Sequence, residues 1–286
     1  MQNLRQISQI LSPTMFRNIV RKGDSVLFEK QTSKYLNTTS NDTNLDIIKT
    51  IYKTLNKEYR CEYIYKNHLL LHIIKTYGLK KSLTFNELRI GASLADLVML
   101  NGKVKIYEIK TELDNLEKLE KQIIDYKKFA DEVYIVTDDK YAEKLLIKYN
   151  NTDIGIIILN NKNKLEIVKE AEISDLSFDF ETIFKILRKQ EYLDLVSYNF
   201  GYIPDVPNTK VFSTCYDLLS KKDIKDFQKQ VLGKLKERKL KSPDLLKSKK
   251  TPIELKHICN SLDFNDSEYQ KLYNFLETKN LCTNRI

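Results

Sequence analysis

The sequence predicts an α/β fold in which a central mixed β-sheet is flanked by helices and followed by a helical C-terminal region. Residues 93–100 and 104–111 are apolar segments on either side of Asn101-Gly102, a dipeptide typical of a β-hairpin. Helical and strand-like segments then alternate as far as residue 169. From about Ser174 onward the apolar spacing is helical to the end of the sequence.

The predicted elements follow from local signals along the chain. The first two helices rest on apolar residues at helical spacing, and the second ends at Gly78. The two strands of the hairpin are apolar on both faces, which predicts central strands covered by helices on each side. The predicted helices are 45–56, 62–77, 114–131, 140–149, 180–199, 213–240 (broken near Ser220), 252–262 and 266–278, and the strands are 93–100, 104–111, 133–137, 154–159 and 165–169.

Capping residues set several of these boundaries. Asp114, with Glu117 three residues later, forms a capping-box pattern that predicts a helix start. Asp138 and Asp139 predict the cap of the next helix, and residues 38–44 predict a polar loop. The chain is accordingly divided into an N-terminal segment (1–44), an α/β core (45–173) and a helical C-terminal domain (174–286).

Composition excludes several classes of protein. With 7 Gly and 5 Pro in 286 residues, collagen and a turn-rich β-barrel are excluded. No apolar run approaches the length of a transmembrane helix, and no secretory signal pattern is present, so a cytoplasmic protein without membrane contact is expected. The four cysteines are widely spaced and are expected to be reduced thiols; they are Cys61, Cys215, Cys259 and Cys282.

Charge is unevenly distributed. The net charge of +9 divides into +7 for residues 1–80, −3 for residues 81–175 and +5 for residues 176–286. Within the last part, residues 221–250 carry 12 basic and 4 acidic side chains. A mildly acidic centre between basic flanks suits a metal site within a nucleic-acid-binding surface. A lysine-rich solvated surface without a specific partner explains the same totals.

The acidic centre contains a chemically unusual pair of strands. Glu108 and Lys110 lie on one face of a predicted central strand, and Asp96 lies in the apolar partner strand. Burying these charges is costly unless something compensates them. A divalent cation would do so, and a structural ion pair between Glu108 and Lys110 would also do so.

The hairpin geometry decides whether the two carboxylates can meet. A two-residue turn places Asp96 and Glu108 on opposite faces of the sheet. A three-residue loop of residues 100–102, with its glycine left-handed, pairs Met99 with Lys103 and brings the carboxylates to one face as diagonal neighbours. We predict this loop or an equivalent bulge, because two carboxylates on one face can hold one hard cation.

These residues carry a family resemblance. Asp96, eleven further residues and then Glu108-x-Lys110 resemble the PD-(D/E)XK motif of the restriction-endonuclease-like nucleases. Ala95 stands where the proline of that motif would be. The resemblance implies a restriction-endonuclease-like core and metal-dependent cleavage of nucleic acid.

A second motif lies on the following helix. Gln122-x-x-x-Tyr126 resembles the QxxxY motif of the RecB-like and lambda-exonuclease-like branches, which implies that both side chains face the site and contact the phosphate or Lys110. Glu87 stands where many members carry a further acidic residue. Residues 87–136 are similar to a family of uncharacterised bacterial and phage proteins.

The resemblance implies a role for each residue. Asp96, Glu108 and the Ile109 carbonyl would ligate Mg²⁺ or Mn²⁺, and Glu87 would hold a second ion or a water molecule. Lys110 would orient the attacking water and stabilise developing negative charge. The implied substrate is DNA more than RNA, in phage defence or mobile-element biology, and a homodimer or an unidentified protein partner is possible.

Two other hypotheses remain open at the level of sequence. One is a binding module that holds nucleic acid or protein on a nuclease fold without cleaving. The other is an α/β protein unrelated to nucleic acid, in which Glu108 and Lys110 form a structural ion pair. Under the nuclease hypothesis, Glu108→Ala is expected to abolish cleavage and to leave stability in metal-free buffer unchanged or higher, because repulsion from Asp96 is relieved.

Overall fold

A six-stranded mixed sheet separates two layers of helices in the computed structural model, which describes residues 2–36, 39, 41–174 and 177–279. The strands follow chain order and are β1 (Leu83–Ile90), β2 (Ser93–Leu100), β3 (Val104–Lys110), β4 (Glu132–Thr137), β5 (Gly155–Leu159) and β6 (Leu165–Lys169). The pairs β1–β2, β2–β3 and β5–β6 are antiparallel, whereas β3–β4 and β4–β5 are parallel. The predicted α/β fold with a mixed sheet flanked by helices is confirmed.

Five helices precede the sheet, two cross between its parallel strands and seven follow it within the described ranges. They are α1 (Gln2–Ser8), α2 (Pro13–Arg17), α3 (Val26–Tyr35), α4 (Asn44–Glu58), α5 (Glu62–Tyr77), α6 (Leu119–Lys127), α7 (Asp139–Tyr149), α8 (Phe180–Ile186), α9 (Lys189–Phe200), α10 (Asn208–Leu219), α11 (Ile224–Lys236), α12 (Pro243–Lys247), α13 (Lys256–Leu262) and α14 (Asp266–Glu277). Asn18–Lys22 adds a π-helical turn and Ile253–Leu255 a 3₁₀ turn. None of the helices that the structure describes is long and apolar enough to cross a membrane.

The two helical layers use alternate side chains of the central strands. The first layer, formed by α1–α5 and α12–α14, packs on the face that presents Leu97 and Tyr107. The second layer, formed by α6–α11, packs on the face that presents Val98 and Ile106. The region predicted as one helical C-terminal domain (174–286) is therefore divided between both faces, with α8–α11 on one and α12–α14 on the other.

The returning helices are tied to the beginning of the chain by polar contacts. Arg21 Nε lies 2.6 Å from Glu268 Oε1. The Asn44 side chain donates to the Phe275 carbonyl at 2.9 Å. Residues more than two hundred positions apart in sequence thus close the first layer.

Several predicted boundaries are confirmed by the caps that motivated them. Helix α5 ends at Gly78, whose φ of +71° is suited to glycine. The Asp138 carboxylate accepts from the Tyr141 amide at 2.9 Å and begins α7. Of the predicted polar loop 38–44, Thr38 and Ser40 lie outside the described residues.

Other boundaries were wrong for local reasons. Asp114 does not begin a helix, because its carboxylate closes a turn by accepting from the Thr111 amide at 2.8 Å and from the Thr111 hydroxyl at 2.7 Å. Helix α6 begins instead at Leu119. The helix predicted at 180–199 is broken between α8 and α9, whereas the break predicted near Ser220 lies between α10 and α11. The N-terminal segment 1–44 contains α1–α3, which the sequence signals did not predict.

The hairpin contains the predicted three-residue loop, displaced by one position. Leu100 pairs with Val104 and Met99 with Lys105, so the loop is residues 101–103 rather than 100–102, and the predicted Met99–Lys103 pair was wrong. Gly102 has a φ of +74°, the left-handed conformation that was predicted. Cys61, Cys215 and Cys259 are free thiols, as expected, and Cys282 lies outside the described residues.

Strand β1 is an addition to the predicted fold. It forms one edge of the sheet and pairs antiparallel with β2 from Leu83–Leu100 to Ile90–Ser93. Two polar side chains of β1 are bonded to α13: Asn260 donates to Thr84 Oγ1 at 3.0 Å, and His257 Nε2 lies 2.8 Å from Asn86 Oδ1. A polar strand is stable here because its side chains find partners in a helix encoded far downstream.

Candidate active site

Strands β2 and β3 separate at the position of the predicted carboxylates. Their pairing ends at Leu97–Tyr107, although β2 begins at Ser93 and β3 continues to Lys110. Beyond that point the Ile109 amide donates to Asp96 Oδ2 at 2.8 Å. The Asp96 carboxylate therefore lies between the two strands and takes the place of a main-chain acceptor.

A strained residue faces this opening from β1. Asn86 pairs with Leu97 and Leu88 with Ala95, so Glu87 lies opposite Asp96. Glu87 has a φ of +54°, which is costly for a residue with a side chain and is often found at functional sites.

The strain accompanies a change of face. Phe85 and Leu88 both pack on the second-layer side of the sheet, although regular alternation would place them on opposite sides. On β2, Ala95 and Val98 show the same departure from alternation. Asp96, which lies between these two residues of β2, bonds to the Ile109 amide in the gap between β2 and β3.

Glu108 and Lys110 form the floor of the site on the second-layer side. Lys110 Nζ lies 2.6 Å from Glu108 Oε1, and the Glu108 side chain is only 2% exposed. Tyr126 on α6 donates its hydroxyl to Glu108 Oε2 at 2.6 Å, and the same hydroxyl lies 3.0 Å from the Leu94 carbonyl. Both oxygens of Glu108 are thus held by the chain itself.

The two residues of the second motif meet each other as well as the site. Gln122 Nε2 lies 3.5 Å from the Tyr126 hydroxyl, and Gln122 Oε1 is buried without a partner within the described part of the chain. Among the described residues, the Tyr126 hydroxyl bonds to Glu108 and to the Leu94 carbonyl rather than to Lys110. The structure therefore brings together all the predicted residues: Asp96, Glu108, Ile109, Lys110, Glu87, Gln122 and Tyr126.

Sequence reasoning missed one member of the cluster, Lys66 on α5. Its side chain is 7% exposed, and its ammonium lies 3.5 Å from Asp96 Oδ1 and 3.9 Å from Glu87 Oε1. The same ammonium forms an ion pair with Glu62, one turn earlier on α5. Burial alone would lower the pKa of Lys66, but Asp96 and Glu62 raise it, so the side chain is a fixed cation. A lysine surrounded in sequence by Ile64, Tyr65, Leu69 and Leu70 was the available signal.

The electrostatics of the cluster are dominated by the two carboxylates. Burial, followed by the charge of Glu108, raises the pKa of Asp96 to about 7, against the lowering effect of Lys66. Burial and Glu108 likewise raise the pKa of Tyr126. Without a further cation, Asp96 therefore keeps its proton to a higher pH than an ordinary aspartate does.

The raised pKa of Asp96 predicts that the stability of the folded chain depends on pH. In metal-free buffer the unfolding free energy is expected to fall, on the order of 2–4 kcal/mol, as the pH rises from about 4 to about 7. Between the unfolded pKa of 3.8 and the folded pKa of about 7, the folded chain binds more protons at Asp96, and raising the pH therefore favours unfolding. Urea titrations at several pH values would measure this decline in the unfolding free energy.

The Asp96→Asn variant is the control for that measurement. Its unfolding free energy is expected to lack most of this decline, because the titrating carboxyl is gone. An equal decline in the variant would assign the pH dependence to other groups. Saturating Mg²⁺ is expected to stabilise the natural chain more at pH 8 than at pH 5 (about one unit above and two units below the pKa of Asp96).

The donor set fits a hard divalent cation. Asp96 and Glu108 offer carboxylate oxygens, and because the amide and carbonyl of one strand residue point the same way, the Ile109 carbonyl faces the same opening as its amide. No group of three or more His, Cys, Asp and Glu side chains among the described residues is arranged to hold a metal. Mg²⁺ commonly uses one or two carboxylates and takes its other ligands from water and substrate phosphate.

Comparison with known proteins connects the chain to one family. The family described as bacteriophage P4 protein cII matches residues 55–261, which include every residue of the cluster. Protein cII of Enterobacteria phage P4 is 26% identical over 106 residues, which cover 36% of this chain and 39% of that protein. A solved protein of unknown function from Silicibacter pomeroyi is 15% identical, with a TM-score of 0.32 over 48% of this chain and 90% of that one.

Proposed function

The chain belongs to the bacteriophage P4 protein cII family, and we propose that it is a metal-dependent nuclease that hydrolyses phosphodiester bonds, with DNA as the favoured substrate. The observation that carries the proposal is the interaction of two carboxylates, the largely buried Asp96 and the buried Glu108, beside Lys110 where β2 and β3 separate. A structural ion pair between Glu108 and Lys110 needs no second carboxylate, whereas two neighbouring carboxylates can bind one divalent cation together.

The PD-(D/E)XK resemblance supports the same proposal. Residues of the two motifs are spread over 31 positions, from Asp96 to Tyr126, yet hydrogen bonds and charge interactions join them. Catalytic groups must lie within reach of one reacting atom, and the contacts among these residues are what supports the proposal. Glu87 extends the cluster toward solvent, since its side chain is 64% exposed.

Each residue has a distinct task in the proposed reaction. Asp96, Glu108 and the Ile109 carbonyl would hold Mg²⁺ or Mn²⁺, which supplies Lewis-acid polarisation of the phosphoryl group and a more acidic water. Lys110 would stabilise negative charge that develops on the phosphoryl oxygens as water adds to phosphorus and the ester P–O bond breaks. Lys66 and Tyr126 would act as positioning residues, since they hold Asp96 and Glu108 respectively.

A cleavage assay tests the proposal directly. The full chain is incubated with supercoiled plasmid, linear duplex, single-stranded DNA and RNA, in Mg²⁺, in Mn²⁺ and in EDTA. We expect cleavage that requires the metal and that falls on the order of a thousandfold in Asp96→Asn, because a ligand carboxylate is lost.

Two other results would count against a nuclease. Cleavage retained by Asp96→Asn would place the activity elsewhere or in a contaminant. Salt-dependent binding without cleavage of any substrate in either metal would favour the binding module.

A further inference from the structure

A basic groove lies at the end of β1 and β2 that is remote from the carboxylates. It is formed by residues 79–83 before and at the start of β1, by residues 100–101 at the end of β2, by residues 236–240 at the end of α11, and by α12. Its volume is about 680 Å³. Four separate segments of the chain therefore converge on one concave surface.

Lysines dominate the rim of this groove. The five lysines of the groove are Lys80, Lys81, Lys236, Lys239 and Lys247, against one acidic side chain, Asp244. All five are exposed, and none forms an ion pair within the part of the chain that the structure describes. The neighbouring Lys234 is different, because it is neutralised by Asp194 at 2.9 Å and Glu237 at 3.0 Å.

The floor of the groove is apolar and anchored. It consists of the lining leucines Leu79, Leu83, Leu100 and Leu240. Ser82 beneath them is buried, and its hydroxyl donates to the Gly78 carbonyl at 2.8 Å. The lysines are thus attached to backbone held by the sheet and its flanking helices, so their ammonium groups remain close to one another.

We infer that this groove binds the sugar–phosphate backbone of a nucleic acid. Five unneutralised cations around one concavity complement a polyanion, and exchange of condensed counterions for lysine drives such binding. The inference rests on the proposed function for its choice of nucleic acid as the ligand. It adds where the strand lies and which side chains hold it.

The strands fix the distance from the groove to the site. Leu83 and Leu100 line the groove, and Glu87 and Asp96 lie four residues away on the same two strands. Four residues of a strand span about 13 Å. Since one DNA strand of a duplex places a phosphate every ~3.4 Å along the axis, the groove holds the backbone about four nucleotides from the bond that would be cleaved.

Binding measured without metal tests the groove apart from catalysis. Fluorescence anisotropy of labelled duplex DNA, single-stranded DNA and RNA is followed in EDTA over a series of salt concentrations, using the full chain. For Lys236→Ala/Lys239→Ala we expect the dissociation constant for the best-bound nucleic acid to rise about tenfold or more. For duplex DNA, the plot of log affinity against log salt has a negative slope, and its magnitude is expected to decrease by about 1.8, that is ~0.9 for each lost phosphate contact.

A matched control separates a groove from diffuse charge. Lys221→Ala/Lys249→Ala removes the same charge from the same basic region outside the groove, and it is expected to change affinity less than threefold (roughly the effect of distant, screened charges). Equal weakening by the two double variants would overturn the inference, as would a full chain that binds none of the three nucleic acids. Circular dichroism melts would confirm that both variants are folded.

The groove and the nuclease can fail separately. If the chain binds through the groove but cleaves nothing in Mg²⁺ or Mn²⁺, the proposed activity is wrong and the binding surface stands. If the chain cleaves and the groove variant binds and cleaves as the natural chain does, the nuclease stands and the groove is wrong.

Discussion

Glu108→Gln is expected to reduce metal-dependent cleavage on the order of a thousandfold, equivalent to ~4 kcal/mol in the activation barrier. Glutamine preserves the size of the side chain and keeps an acceptor for the Tyr126 hydroxyl, which now lies 2.6 Å from Glu108 Oε2. It removes the negative charge that would bind the cation. Single-turnover rates on the substrate that the natural chain cleaves would measure the loss.

Glu132→Gln is the matched control, because Glu132 is also a buried carboxylate of the central sheet paired with lysine. Its Oε2 lies 2.5 Å from Lys105 Nζ, and it belongs to no part of the cluster. This variant is expected to cleave within about threefold of the natural rate, since only stability is affected. Comparable losses in both variants would mean that the sheet, rather than the site, had been damaged.

Glutamine is preferable to alanine for a reason that the sequence alone did not reveal. Glu108 accepts from both Lys110 and Tyr126; glutamine keeps an oxygen for one of these donors, whereas alanine would leave both the buried ammonium and the buried hydroxyl without that partner. Removing one member of a buried pair costs about 3–5 kcal/mol. The expectation that Glu108→Ala leaves stability unchanged or higher is therefore reversed.

Lys66→Met is expected to destabilise the chain by about 3 kcal/mol in metal-free buffer near pH 8. The methionine fills a similar volume, but Asp96 loses the cation that lies 3.5 Å away and is left beside Glu108. Near pH 5 the loss is expected to be smaller, because Asp96 then carries a proton in the folded chain. Urea unfolding at both pH values would give the difference.

Magnesium distinguishes this effect from ordinary loss of packing. In Lys66→Met, saturating Mg²⁺ is expected to restore more stability than it adds to the natural chain, because a competing positive charge has been removed. Lys105→Met, which removes a lysine from the Glu132 pair, is expected to gain nothing extra from Mg²⁺. If both variants respond alike, Lys66 is not coupled to a cation site.

Local signals were sufficient to predict the centre of the fold. The Asn101-Gly102 loop and the cap at Asp138 act over a few residues, and the hairpin and α7 formed where they indicated. The spacing of Asp96, Glu108 and Lys110 required only the hairpin to be understood. For that reason the proximity of these three side chains was predictable from one sequence.

The parts that were missed depend on distant partners. Strand β1 changes face at Glu87, so its side chains show no continuous alternation, and its polar residues are satisfied by His257 and Asn260. Lys66 is recognisable as part of the site only once α5 is known to lie over the opening between β2 and β3. Neither fact has a signature within a short stretch of sequence.

The return of α13 and α14 to the first layer has a consequence for synthesis of the chain. Asn86, next to the strained Glu87, finds its partner in His257, and Asn67 on α5 donates to the Ile253 carbonyl. Contacts separated by more than 170 residues cannot form until the ribosome has released the later partner. The scaffold around the carboxylates is therefore completed only after residues 253–257 have left the ribosome, which would delay assembly of the proposed hydrolytic centre.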